Sequence, residues 1–232
     1  MHQRPRRPPC RLDYAPAMTA PGEPAPGRRE RRKIETHARL VAAARTLIAG
    51  NGIDAMRINE ITEEADVGFG SFYNYFESKD AIVAAVVDAV SKELGDTIAA
   101  STADLPDAAE VLSVAHRTII HHAGEDPEIG WLMIRLELSH NLVSTALGPY
   151  VLRDLQRGVD EGRFAINDLG ATLIALGGAL LGIVRAVLQG NAAEDAGIKH
   201  AIVVLQLLGL PLDEAAEVAR RQLPAAVELS GT

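Results

Sequence analysis

Apolar positions recur at helical spacing from about residue 31 to near the end of the chain. Leu40, Val41, Ala44, Leu47 and Ile48 fall at i, i+1, i+4, i+7 and i+8, one face of a 3.6-residue period. Asn51-Gly52 ends that helix, since both residues tolerate the left-handed conformation. A second short helix carries Ile58, Ile61 and Ala65 and breaks at Asp66-Val67-Gly68, and a third covers about Phe69 to Phe76. Ser78 is a good N-cap for a fourth over 78–100, with Ile82, Val83, Val86, Val87, Val90 and Leu94 on one face. Six more helices are predicted over 106–124, 127–141, 144–161, 167–189, 195–209 and 212–222. Pro106, Pro127 and Pro211 stand where helices begin, and Gly162 and Gly209 where they end. Strand-type alternation and internal repeats are absent, so the expected fold is all-α with about ten helices.

Leu169 to Leu188 carries a single charge, Arg185, in 20 residues. Its length would suit a membrane span. However, Arg185 lies inside it, no basic flank marks an orientation, and Gly170, Gly177, Gly178 and Gly182 thin one side. The expectation is therefore a helix buried on all sides in a bundle or dimer interface, with no membrane partner. An isolated Arg185 there needs a partner, either an acid across the dimer interface or an anionic ligand.

Composition sharpens this picture in two places. With 47% hydrophobic and 23% charged residues, a chain of 232 can bury a core. Cys10 is the one cysteine, which excludes an intrachain disulfide framework and fits a reducing, cytoplasmic compartment. The net charge of -8 conceals an asymmetry: residues 1–35 hold nine Lys/Arg against four Asp/Glu, while the remainder is acidic. Residues 1–27 also contain seven of the twelve prolines and few aliphatic residues, so they read as a disordered basic arm. They lack the apolar run of a signal peptide. Met18 offers an alternative start that would leave residues 1–17 untranslated. The expected organisation is an arm (1–27), a three-helix DNA-binding domain (28–77) and a larger helical body (78–232).

Chemistry concentrates between Ile58 and Lys79. Two short helices joined by a three-residue turn make a helix-turn-helix, whose second helix can enter the major groove. Five of the nine aromatic residues (Phe69, Phe72, Tyr73, Tyr75 and Phe76) fall within eight positions. So short a helix cannot turn all five inward. With Phe72 and Phe76 facing the core, Phe69, Tyr73 and Tyr75 are left to project outward. Tyrosine hydroxyls donate to phosphate, Ser71 bonds phosphate or a base edge, and Gly70 permits close backbone approach. Asn74 suits direct readout, because its amide pairs bidentately with adenine N6/N7. Lys79 adds a cation at the start of the fourth helix.

The segment from Arg31 to Val87 resembles the N-terminal domain of TetR-family bacterial transcriptional regulators. The resemblance rests on Ile61, Ala65, Val67, Gly70, Ser71, Tyr73, Tyr75, Phe76, Ser78, Lys79 and Ile82 at the family's spacing. A Gly-Leu-Pro at Gly209 to Pro211 is a further likeness. Three positions depart from the pattern: Arg57 stands for the usual capping Thr, Asp66 and Gly68 for the turn's Gly and Ser, and Phe69 for a basic residue. The resemblance implies a homodimer that binds a palindromic operator in double-stranded DNA and releases it when a small molecule enters the body. Repression is the default role. The implied DNA contacts are Arg57, Asn59, Gly68, Phe69, Gly70, Ser71, Tyr73, Asn74, Tyr75 and Lys79.

Helical bodies enclose ligand cavities between helices. Candidate lining residues are Trp131, Met133, Arg135, His140, Tyr150 and Arg185, and dimerisation is expected through the helices at 167–189 and 195–209. The alternative reading is a metal-dependent helical-bundle enzyme built on Glu137 and His140, a Glu-x-x-His pair with His116, His121 or His122 as further donors. Such centres need two copies of the motif, and only one is present. No catalytic signature appears, so the expectation is a non-enzymatic protein without cofactor or metal.

Overall fold

The computed structural model describes residues 27–140 and 147–224, with the side chains of 138–140 excluded. It separates into two units, residues 1–35 and residues 36–232. Of the first unit the described part, 27–35, begins the helix α1 (Arg28–Asn51), and Arg28, Arg29, Arg31, Arg32 and Lys33 are all exposed.

The second unit is helical throughout its described residues. After α1 come α2 (Ile58–Glu64), α3 (Phe69–Phe72), α4 (Lys79–Thr102), α5 (Ala108–Glu125) and α6 (Pro127–His140). They are followed by α7 (Gly148–Asp160), α8 (Leu169–Leu188), α9 (Ala196–Leu207) and α10 (Leu212–Arg220). Caps set several of these starts. Ser78 accepts from the Ala81 N–H at 3.1 Å, Asp107 from Ala109 at 3.0 Å and Asp168 from Ala171 at 2.7 Å. Gly209 ends the α9 region at φ +98°, where a Cβ would lie 2.8 Å from that of Ala165.

Helix α3 is shorter than its sequence predicts. After Phe72 the chain tightens, with Asn74 N–H bonding to Ser71 O at 3.1 Å and Tyr75 N–H to Phe72 O at 2.9 Å. These are three-residue spacings, and they wind the expected last turn of the helix into successive turns.

Two hydrophobic cores hold the second unit. The first runs from Leu40, Ile48, Ile61, Phe72 and Phe76 through the buried stripe of α4 to Ile129, Leu132 and Met133 of α6 and Leu180 and Val184 of α8. The second gathers Leu112, Leu155, Phe164, Leu176, Val204, Leu208 and Val218 from α5 and α7 to α10. Beside them, His116 of α5 and His200 of α9 stack, with Nδ1 of one 2.9 Å from Nε2 of the other. Burial pushes His116 down to about 3, helped by the His200 charge, and pushes His200 down to about 4.

Within the described residues, helix α8 is covered on one face only. Its length and mean hydropathy of 2.1 would suit a membrane span, yet a single stripe of Leu176, Leu180 and Val184 is buried in the chain. Gly170, Ile174, Gly178 and Gly182, spaced by four, are exposed. Arg185 is exposed too, because it falls on the side of α8 that the described residues leave uncovered.

Candidate nucleic-acid interface

Helix α2 begins without the usual hydroxyl cap. A guanidinium carries no acceptor, so the Arg57 side chain cannot serve there. Glu60 supplies half of a capping box instead, its Oε2 accepting from the Arg57 N–H at 2.9 Å. Asn59 lies inside the first turn, where its backbone oxygen accepts from Thr62 Oγ1 at 2.9 Å. Arg57 and Asn59 both remain exposed.

The turn after α2 is a Schellman motif. Val67 N–H bonds to Thr62 O at 2.9 Å and Asp66 N–H to Glu63 O at 3.1 Å, with Asp66 in the left-handed region at φ 50°. Arg39 of α1 secures it by donating to the carbonyl oxygens of Ala65 and Asp66, the latter at 2.9 Å. Sequence reasoning missed Arg39. Its only signal was a cation beside the apolar stripe of α1, facing the negative end of the helix that packs there.

The turn delivers α3 with its aromatics divided. Phe72 and Phe76 are buried with ring centroids 5.8 Å apart, and His37 of α1 lies 4.8 Å from Phe76. Phe69 and Tyr73 are each 53% exposed and meet edge to face at 6.0 Å. Asn74, Gly68 and Gly70 are exposed, while Ser71 and Lys79 are half-buried. Tyr75 is half-buried and packs against the core, so it projects less than its position implied. A Cβ at Gly70 would meet nothing within 4 Å, so packing among the described residues does not require glycine there. The segment therefore presents two aromatic rings, an amide and an open backbone to an outside partner.

Comparison with known proteins bears on what that partner is. A family model described as bacterial regulatory proteins, tetR family, matches residues 40–86, and a tetracyclin repressor-like C-terminal domain matches residues 107–221. The structure of RolR in complex with resorcinol is 34% identical, covering 84% of this chain and 98% of that one, with a TM-score of 0.67. RolR without ligand is 33% identical, covering 82% and 99%, with a TM-score of 0.64. The chain belongs to the TetR family. A fatty acid degradation regulator, FadR from Bacillus halodurans, shares the fold at 20% identity, covering 75% of this chain and 96% of that one, with a TM-score of 0.62. No curated protein sequence matches.

TetR-family regulators are DNA-binding transcription factors, not enzymes as a rule, and this chain has their DNA-binding domain together with their ligand-binding C-terminal domain. Among the candidate lining residues, Trp131 and Arg135 come together, the guanidinium carbon 5.4 Å from the ring centroid. Arg135 also donates to Ile48 O at 2.7 Å. Met133 is sealed in the first core, whereas Tyr150 and Arg185 are exposed. The side chain of His140 lies outside the described residues. Of the other donors considered for a metal, His116 pairs with His200, and His122 lies 3.5 Å from Glu93. Among the described residues no group of three or more His, Cys, Asp or Glu is arranged to hold a metal.

Proposed function

We propose that this TetR-family protein is a cytoplasmic repressor that binds a palindromic operator as a homodimer and leaves it when a small molecule occupies the body. In this reading residues 1–27 form a basic arm, 28–77 the reading head and 78–232 the sensing and dimerising body. The observation that carries it is the division of the α3 aromatics. A short segment, α3 and the turns after it, that buries Phe72 and Phe76 yet exposes Phe69, Tyr73 and Asn74 is built to touch something beyond its own chain. Arg57, Asn59, Gly68, Gly70, Ser71, Tyr75 and Lys79 complete the contact set. The phosphate contacts among them set register, and Asn74 reads a base edge.

The dimer forms through α8 and α9. Ile174 is 72% exposed, and Val203 and Leu207, four apart on α9, are also open. A partner helix laid along the glycines of α8 covers that apolar surface and brings Arg185 toward an acid of the second copy. Two heads held about one DNA turn apart then require a palindrome. RolR holds resorcinol, and its 34% identity over nearly its whole length supports a small hydroxylated aromatic as the effector here. Trp131 and Arg135 offer such a ring a stacking face and a donor.

Selection of bound duplexes from random DNA tests the reading. The expected result is a palindrome with half-sites about 10 base pairs apart, whose complex resorcinol dissociates. Recovery of no preferred sequence would refute the repressor, and a palindrome insensitive to resorcinol would refute the effector class.

A further inference from the structure

The segment that carries α3 is without charge. From Val67 to Phe76 it reads Val-Gly-Phe-Gly-Ser-Phe-Tyr-Asn-Tyr-Phe, with no lysine, arginine, aspartate or glutamate. The nearest basic residues in sequence are Arg57, before α2, and Lys79, at the start of α4. Arg39 reaches the turn before α3, but its guanidinium is taken by the carbonyl oxygens of Ala65 and Asp66.

That composition limits which base edges the segment can read. In the major groove guanine offers two acceptors, which the donors of arginine or lysine match, and cytosine offers an amino donor, which a carboxylate matches. Neither kind of side chain is present between Val67 and Phe76. The amide of Asn74 suits adenine, and the apolar feature of the groove is the C5-methyl group of thymine.

Phe69 and Tyr73 supply an apolar surface to meet it. They are four residues apart, each 53% exposed, and their rings meet edge to face with centroids 6.0 Å apart. Tyr73 also meets Phe72 edge to face, at 5.4 Å and 83°. Phe72 is fully buried. The three rings thus form a row that begins in the core and ends outside it at Phe69. Each edge-to-face contact restrains the next ring, so Phe69 is presented in a set orientation. Laid over a guanine or cytosine edge, such a ring would strip water from polar atoms and return no hydrogen bond. A thymine methyl group carries no such penalty.

We infer that Phe69, braced by Tyr73, reads a C5-methyl group in the major groove, so that the operator carries thymine at that step. The inference rests on the DNA-binding reading above and adds the base that this part of the head selects. Phe69 is the specificity-determining residue and Tyr73 a positioning residue for it. Because the methyl group of 5-methylcytosine occupies the same place in the groove, methylation of a cytosine at that step strengthens binding.

The test uses the full-length protein and the duplex recovered by selection from random DNA. Each thymine of a half-site is replaced in turn by uracil, which pairs identically and lacks only the methyl group. The expected result is one step per half-site at which uracil lowers affinity about fourfold, or about fifteenfold when both halves are changed. Cytosine at that step, paired with guanine, should gain about fourfold on C5 methylation. With Phe69→Ala both effects should vanish, whereas Phe69→Leu should keep part of each. Tyr73→Phe, which preserves the ring contact, should retain them, and Tyr73→Ala should reduce them. Melting temperatures of the variants separate loss of reading from loss of fold. A half-site without thymine on either strand, indifference to uracil at every step, or a uracil effect that survives Phe69→Ala would overturn the inference and leave the repressor reading standing. Recovery of no preferred duplex would refute both.

Discussion

Arg39 holds Asp66 where the chain turns between α2 and α3, donating to its backbone oxygen at 2.9 Å while Asp66 sits at φ 50°. The same guanidinium serves the Ala65 carbonyl, so one side chain satisfies two acceptors at the end of α2. Its ion pair with the fully exposed Asp66 carboxylate, at 3.3 Å, adds little in water. Arg39→Ala should thus lower stability by about 1–2 kcal/mol through the abandoned carbonyls, measured by urea unfolding. Asp66→Asn, which removes the ion pair and keeps a residue tolerant of the left-handed region, should cost about 0.5 kcal/mol or less. Equal losses from the two would place the effect in the ion pair.

Two residues of the reading head separate specificity from grip. Asn74→Ala should lose about 1–3 kcal/mol on the preferred duplex and little on random DNA, because only a base contact distinguishes sequences. Lys79→Ala should weaken all duplexes alike and lower the slope of log affinity against log salt by about one. Filter binding over a range of salt concentrations reads both. Identical behaviour of the two variants would refute the assigned roles.

Local signals in the sequence were enough for the helix order and the divided α3, and not for the connections between helices. Five aromatics within eight positions cannot all face inward. Spacing alone does not decide which turn out, since Phe69 would share the face of Phe72 on a continuous helix and is nevertheless exposed. The Ser78, Asp107 and Asp168 caps are decided within four residues. Arg39, Arg45 and Arg135 act across 27, 48 and 87 residues of chain, and no periodicity reports such distances. Arg185 shows a related point. Apolar neighbours in sequence imply burial within the chain only when every face of a helix is covered by its own chain, and that side of α8 is not covered by the described residues.

The buried pair His116 and His200 makes stability sensitive to acid. Both folded-state values lie below the ordinary 6.5, at about 3 and about 4, because burial disfavours the charged rings. The unfolded chain therefore takes up protons first as pH falls. The stability of the neutral pair is complete above about pH 6.5 and is lost progressively toward pH 4. Each group contributes a slope of up to about 1.4 kcal/mol per pH unit in that window. Replacing both with leucine should flatten the fall in melting temperature between pH 6.5 and 4. An unchanged pH profile would show that the pair does not govern acid sensitivity.

Glycine at 178 and 182 offers the sharpest test of the dimer. Each is exposed within α8, and a Cβ at either would meet nothing within 4 Å among the described residues. Nothing among the described residues calls for glycine there, and glycine costs an isolated helix about 1 kcal/mol relative to alanine or leucine. Gly182→Leu should therefore leave helicity intact or raise it. In a close helix–helix contact the same side chain overpacks at two symmetry-related places, at about 1–3 kcal/mol each, so dimer dissociation should increase tenfold or more. Sedimentation should show monomer at concentrations where the parent chain is dimeric. The monomer should lose the palindrome yet keep the half-site, because α3 is untouched. An undisturbed dimer would move the interface off this face of α8, and with it the proposed partner for Arg185.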